Sequence, residues 1–108
     1  MIRRYVFFRF EHAHRGKDAM RDILSETHRV LQNVPGVEMY EIGTPADEKA
    51  VAAWDLSITA TFASKAVLES YIQHPQHRAY VDGFIKPKLE VIKAWNFVPN
   101  ESDLPERV

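Results

Sequence analysis

The sequence of 108 residues contains no cysteine and only four glycines. Without a thiol the chain cannot form disulfides, use a cysteine nucleophile or bind zinc through thiolates. No apolar run approaches the length of about 20 residues that a membrane-spanning helix needs. Neither sign of charge dominates, because the formal net charge is -1 at pH 7. We therefore expect neither nucleic acid nor membrane as a partner, and the cytoplasm is the expected location.

The composition is that of one globular domain, with 45% hydrophobic and 27% charged residues. We expect this domain to span residues 1–98 and to be followed by a polar C-terminal tail, residues 99–108. The tail contains two prolines, Pro99 and Pro105.

Apolar patterning predicts four strands and two helical regions. The period-two alternation of residues 54–62 is the clearest strand signal, and residues 17–34 place apolar side chains at helical spacing. The second helical region begins after Ser64, a good N-cap, and is interrupted by Pro75. Residues 44–50 are expected to be a polar loop. The other strands are expected at residues 5–10, 37–43 and 89–98.

This order of elements is that of an α+β, ferredoxin-like βαββαβ fold with a four-stranded antiparallel sheet. Its helices cover one face of the sheet. The first strand, however, has apolar residues on both faces, with Tyr5 and Phe7 on one and Val6 and Phe8 on the other. A second copy of the chain would cover the remaining face, so we expect a homodimer.

The most specific stretch is residues 71–80, with the pattern Tyr71-x-x-His74-Pro75-x-His77-x-x-Tyr80. Because proline disfavours helical geometry in the residue before it, a helix should end near residue 73. Proline also suits the first turn of a helix, so a new one should begin at Pro75. His74 then caps the corner, and Tyr71 and His77 can point at one place from two helices.

In these residues the chain resembles the stress-responsive dimeric α/β-barrel (Dabb) domain family over roughly residues 5–97. The resemblance implies a homodimer whose two sheets form a barrel, and many members of the family have no assigned reaction. Besides the stretch 71–80, the matching features are Phe8-Arg9-Phe10, Pro35-Gly36-Val37, Trp54-Asp55-Leu56 and Phe62.

One branch of that family, the plant polyketide cyclases that make olivetolic acid, is enzymatic. The resemblance implies that their catalytic tyrosine and histidine correspond to Tyr71 and His77. Two further histidines of their pocket correspond to Arg4 and Leu56, so the chain keeps the possible catalytic pair but not its surroundings.

Two interpretations of the pair remain open. His77 could act as a general base while Tyr71 hydrogen-bonds a developing enolate oxygen, which requires no metal and no cofactor. Alternatively, both side chains are structural and satisfy one another or the nearby backbone. His74 and His77 are not expected to bind a metal, because the motif offers no carboxylate to complete a ligand set.

A ligand cavity is expected between the sheet and the helices. The function expected first is the one that the resemblance implies, a stress-responsive homodimer with no assigned biochemical activity, which could bind a small apolar or aromatic molecule in this cavity. The alternative is a cofactor-independent enzyme of the polyketide cyclase or enolisation type. Besides Tyr71 and His77, the residues expected to contact the ligand are Phe8, Leu56, Ile58, His74, Tyr80 and Trp95.

Overall fold

The computed structural model describes residues 1–100 and confirms the ferredoxin-like α+β fold. Four strands form one antiparallel sheet, in which the order is β2-β3-β1-β4. The two longest strands, β1 and β4, are neighbours in the sheet. The strands are β1 (Ile2–Phe10), β2 (Met39–Gly43), β3 (Leu56–Phe62) and β4 (Leu89–Phe97).

Helical segments connect the strands as expected, and one further short helix lies before β3. Helix α1 joins β1 to β2, and helices α3 and α4 lead through a π-helical segment to β4. Within residues 1–100, no helix is both long and apolar enough to cross a membrane. The segments are α1 (Lys17–Asn33), α2 (Glu48–Ala53), α3 (Lys65–Gln73), α4 (Pro75–Arg78), the π-helix Ala79–Ile85 and two 3-10 turns, His12–His14 and Lys86–Lys88.

Helix α2 corrects the prediction that residues 44–50 form a loop. The side chain of Asp47 accepts a hydrogen bond from the backbone N–H of Ala50 at 2.9 Å, so Asp47 is an N-cap. The alanine-rich run after it, with its high helix propensity, continues to Ala53. Strand β3 consequently begins at Leu56 rather than at Trp54.

The turn after α1 requires a glycine. Gly36 has a backbone φ of 108°, which side chains disfavour, and a Cβ there would lie 2.9 Å from Cγ1 of Val67. The Pro35-Gly36 turn therefore ends α1 and also brings the chain against α3.

The helices pack on one face of the sheet. The even-numbered residues of β1 and β3 point towards them, and the completely buried Phe10 and Phe62 are part of this core. Helices α1 and α3 contribute Ile23, Val30 and Leu68 to the same core, and the π-helix contributes Ile85.

The opposite face, here called the open face, is aromatic. Tyr5 packs edge-on against Phe97 with ring centroids 5.7 Å apart, and Phe7 lies 6.1 Å from Trp95. Trp95 remains 47% exposed and Phe97 57% exposed. The prediction that β1 has apolar residues on both faces is confirmed.

Most of the predicted polar tail, residues 101–108, lies outside the described residues. The predicted boundary between domain and tail stays a prediction.

Candidate functional site

The corner between α3 and α4 has the predicted geometry. Helix α3 ends at Gln73, and Pro75 occupies the first turn of α4. Nδ1 of His74 accepts a hydrogen bond from the backbone N–H of Gln76 at 3.1 Å, which confirms His74 as the cap. The corner changes the direction of the chain between Tyr71 and His77.

Tyr71 and His77 meet across this corner, with their ring centroids 4.5 Å apart. Nδ1 of His77 lies 2.9 Å from the backbone carbonyl oxygen of Ile72. Because a carbonyl oxygen can only accept, Nδ1 carries the proton and donates it. The lone pair of the neutral imidazole is therefore on Nε2, which is the basic nitrogen of the site.

The two side chains line a cavity of about 250 Å³ between the sheet and the helices. Most of its lining surface is apolar, and several charged and polar side chains also reach it. Pockets that hold small molecules commonly combine the two. The apolar lining includes Val6, Leu31, Ile58, Ala60, Phe62 and Ile72, and the charged lining consists of Arg4, Arg78, Asp82 and Lys86.

Both polar groups of the pair are neutral near pH 7. Burial raises the pKa of the Tyr71 phenol to about 12, although the nearby charge of Arg4 partly opposes this rise. Burial also lowers the pKa of His77, against the effect of its hydrogen bond to Ile72. The site therefore combines a neutral O–H donor with a neutral imidazole acceptor.

The hydroxyl of Tyr71 is available to a ligand. Among residues 1–100 neither this hydroxyl nor Nε2 of His77 has a hydrogen-bond partner, and both side chains line the cavity. Both groups can therefore form a hydrogen bond with a molecule that occupies the cavity.

Tyr80, by contrast, has a hydrogen bond within the core. Oγ1 of Thr27 donates to the carbonyl oxygen of Ile23 at 2.6 Å, and the Tyr80 hydroxyl lies 2.7 Å from Oγ1. Since Thr27 has already used its only proton, Tyr80 is the donor. This bond ties the π-helix to α1.

The structure brings together only part of the predicted ligand-contacting set. Ile58 and Tyr80 line the cavity with Tyr71 and His77. Phe8 and Leu56 are buried on the same face of the sheet but do not line the cavity. His74 lies outside the cavity, at the capped corner.

The predicted position of Trp95 is wrong. Trp95 is paired with Tyr5 in the sheet, so both side chains point to the open face, away from the cavity. Because side chains alternate along a strand, the neighbouring even positions of β4 face the helices instead. Ile92 is the β4 residue that lines the cavity.

The prediction of site residues did not include Arg4. Its side chain lies on the helix-facing side of β1, lines the cavity and donates a hydrogen bond from Nη1 to Oδ1 of Asn96 at 2.9 Å. The alternation of β1 already contained this signal, because Arg4 has the same parity as the core residues Val6 and Phe8.

Residues 1–100 contain no group of three or more histidine, aspartate or glutamate side chains that could hold a metal ion. The cavity thus offers acid–base and hydrogen-bonding groups from Arg4, Tyr71 and His77.

A ferredoxin-like sheet with a sheet–helix cavity defines a broad class of α+β proteins. Within that class, the family model of the stress-responsive A/B barrel domain, Dabb, matches residues 2–99. The chain belongs to the Dabb family. No curated protein sequence matches the chain.

Solved structures with the same fold include the following three. A Dabb family protein with a ferredoxin-like fold from Mesorhizobium loti is 25% identical, with a TM-score of 0.79, over 93% of this chain and 97% of that chain. A dimeric ferredoxin-like protein of unknown function from Thermobifida fusca is 22% identical, with a TM-score of 0.78, over 91% and 90%. Hydroxynitrile lyase from Passiflora edulis is 20% identical, with a TM-score of 0.80, over 96% of both chains.

Proposed function

We propose that the protein binds a small, largely apolar molecule that carries a carbonyl or phenolic oxygen in the sheet–helix cavity. The observation that supports this most strongly is that Nε2 of His77 and the hydroxyl of Tyr71 lie at a mainly apolar cavity and have no hydrogen-bond partner among residues 1–100. One can accept a hydrogen bond from the ligand and the other can donate one.

We propose that the protein is a homodimer in which the open faces of the two copies are in contact. An exposed aromatic cluster on a sheet is typical of a protein–protein contact, and Tyr5, Phe7, Trp95 and Phe97 form such a cluster. The Thermobifida fusca neighbour with the same fold is dimeric. The cytoplasmic location stays a prediction from composition.

A thermal-shift screen of phenolic and polyketide-like compounds tests ligand binding. We expect some compounds to raise the unfolding temperature of the wild type. Tyr71→Phe and His77→Gln should each lower the affinity for these compounds by about tenfold, which corresponds to the loss of one hydrogen bond. His12→Gln is the matched control, because His12 is exposed in the 3-10 turn after β1.

The proposal fails if no compound stabilises the wild type while His77→Gln lowers its unfolding temperature strongly. That pair of results would show that the imidazole serves the fold alone.

A second candidate function is cofactor-independent acid–base catalysis, favoured by the protonation states of the pair. Nε2 of neutral His77 can take a proton from a carbon next to a carbonyl group. The hydroxyl of neutral Tyr71 can at the same time hydrogen-bond the oxygen on which the negative charge develops. The Passiflora edulis neighbour is a lyase, so this fold is compatible with enzymatic activity.

Hydrogen–deuterium exchange tests the catalytic candidate. Small aryl ketones and aldehydes are incubated with the protein in D₂O, and loss of the proton signal next to the carbonyl group is followed by NMR. The exchange rate with the wild type should exceed the rate without protein. With His77→Gln it should fall to about the rate without protein, since the base is lost. Exchange that persists in this variant would contradict the assignment of His77 as the base.

A further inference from the structure

Among residues 1–100, the charged side chains at the cavity carry more positive than negative charge. Arg4, Arg78 and Lys86 are cationic and Asp82 is the one carboxylate of this set, which leaves a net charge of +2 for the described lining. Asp82 is shared between two of these cations, because its Oδ2 lies 3.0 Å from Nε of Arg78 and its Oδ1 lies 3.1 Å from Nζ of Lys86.

Within the described part of the chain, Arg4 is the cation of this cavity that has no carboxylate partner. Its Nη1 donates to the neutral amide oxygen of Asn96, and the described residues place no acidic side chain within ion-pair distance of it. Arg9, on the same strand, does have a carboxylate partner, since its Nη1 lies 3.4 Å from Oδ1 of Asp55. The guanidinium of Arg4 is partly buried, and burial lowers its pKa. A partly desolvated cation gains most from a charged partner.

We infer that the ligand carries a carboxylate, or a group of equal charge, that binds Arg4 while its apolar body lies along Ile58, Ala60 and Leu31. This inference rests on the proposed function and specifies its ligand. The guanidinium can form two parallel hydrogen bonds with a carboxylate, which an ammonium cannot. Arg78 and Lys86 add positive potential at the same cavity, although Asp82 already neutralises part of it.

The inferred pose also places the ligand relative to the acid–base pair. Arg4 and Tyr71 are close enough for the charge of one to affect the pKa of the other. A carboxylate bound at Arg4 would therefore direct the adjoining part of the ligand towards Tyr71 and His77.

Three probes of equal length and different charge test the inference on the full chain. They are 3-phenylpropanoate, 3-phenylpropanamide and 3-phenylpropylammonium, and their affinities are measured by NMR titration of the ¹⁵N-labelled protein. We expect the carboxylate to bind about tenfold more tightly than the amide, because its hydrogen bonds to arginine are charge-assisted. The ammonium probe should bind most weakly.

Arg4→Gln should remove the preference for the carboxylate while leaving the affinity for the amide within about threefold. Arg21→Gln is the control, since Arg21 is exposed on α1, away from the cavity, and pairs with Asp18 on the same helix. If Arg4→Gln does not fold, the Nε–H resonance of Arg4 in the wild type replaces it. That resonance should shift on addition of the carboxylate and stay unchanged with the amide.

Two results would overturn the inference in different ways. Equal affinity for carboxylate and amide in the wild type would reject the anionic ligand and leave the proposed function standing. Absence of binding by all three probes, together with no compound active in the thermal-shift screen, would reject both.

Discussion

The imidazole of His77 lies against the phenol of Tyr71, with ring centroids 4.5 Å apart and ring planes inclined by 50°. This contact joins a residue of α3 to a residue of α4 across a proline corner. In the part of the chain that the structure describes, each ring keeps one polar atom without a hydrogen-bond partner, and both rings line the same cavity.

Acidification should destabilise the protein through His77. Burial lowers the pKa of His77 in the folded state below its value of 6.5 in the unfolded chain. Between the two values the unfolded chain binds more protons, so the free energy of unfolding rises with pH there and falls on acidification. Urea unfolding from pH 8 to pH 5 at one protein concentration should show that His77→Gln loses less stability than the wild type. A parallel pH dependence in both proteins would contradict the burial of a neutral imidazole.

Removing the hydroxyl of Tyr80 should destabilise the fold without affecting the ligand site. Tyr80→Phe deletes the buried hydrogen bond to Thr27, and we expect a loss of about 1 kcal/mol in the free energy of unfolding. A double-mutant cycle with Thr27→Val should yield a coupling energy of about 0.5–1.5 kcal/mol. The affinity for compounds found in the thermal-shift screen should not change. A large loss of affinity in Tyr80→Phe would give this hydroxyl a role in binding.

Gly36 should tolerate no side chain. Gly36→Ala places a Cβ 2.9 Å from Val67 at a positive φ, and we expect a loss of about 1–3 kcal/mol in the free energy of unfolding. Gly83→Ala is the matched control, because a Cβ at Gly83 meets no atom within 4 Å. It should be neutral or stabilise by up to about 1 kcal/mol. Equal effects of the two substitutions would show that the turn after α1 is less constrained than its geometry indicates.

A charge on the open face should prevent assembly. The ring centroid of Phe7 lies 5.5 Å from that of Trp54 and 6.1 Å from that of Trp95, so Phe7→Glu places a carboxylate within the aromatic cluster. We expect insoluble or unfolded protein, while Ser25→Glu on the exposed side of α1 remains dimeric in analytical ultracentrifugation. A stable dimer of Phe7→Glu would show that the open face is not the interface. A stable, soluble monomer would show that the chain folds without a partner over this face, against the expectation that a second copy must cover it.

The corner at His74-Pro75 was predictable because proline acts on the backbone of its immediate neighbours, whatever the rest of the chain does. That β1 has apolar side chains on both faces of the sheet was also predictable, because Tyr5, Phe7 and their even-numbered neighbours alternate between the faces along the strand. Local chemistry decides such features. The short helix α2 was also a local feature, and Asp47 was the cap signal that the prediction of a loop overlooked.

The position of Trp95 could not be derived locally. Strand β4 has apolar residues of both parities, among them Val91 and Ile92, so its sequence does not indicate which set faces the helices. Its register against β1 decides this, and the register shifts between Arg9 and Phe10. A change of one residue in register moves every side chain to the other face. Trp95 therefore contributes to the open face, and Ile92 replaces it at the cavity.

The central claim, that Nε2 of His77 is a free acceptor facing a ligand site, is tested most directly by long-range ¹H–¹⁵N NMR of the imidazole. At pH 7 the account predicts a neutral ring with the proton on Nδ1, and a shift of the Nε2 resonance when a compound from the thermal-shift screen is added. The proton on Nε2, or an Nε2 resonance that saturating ligand leaves unchanged, would contradict it.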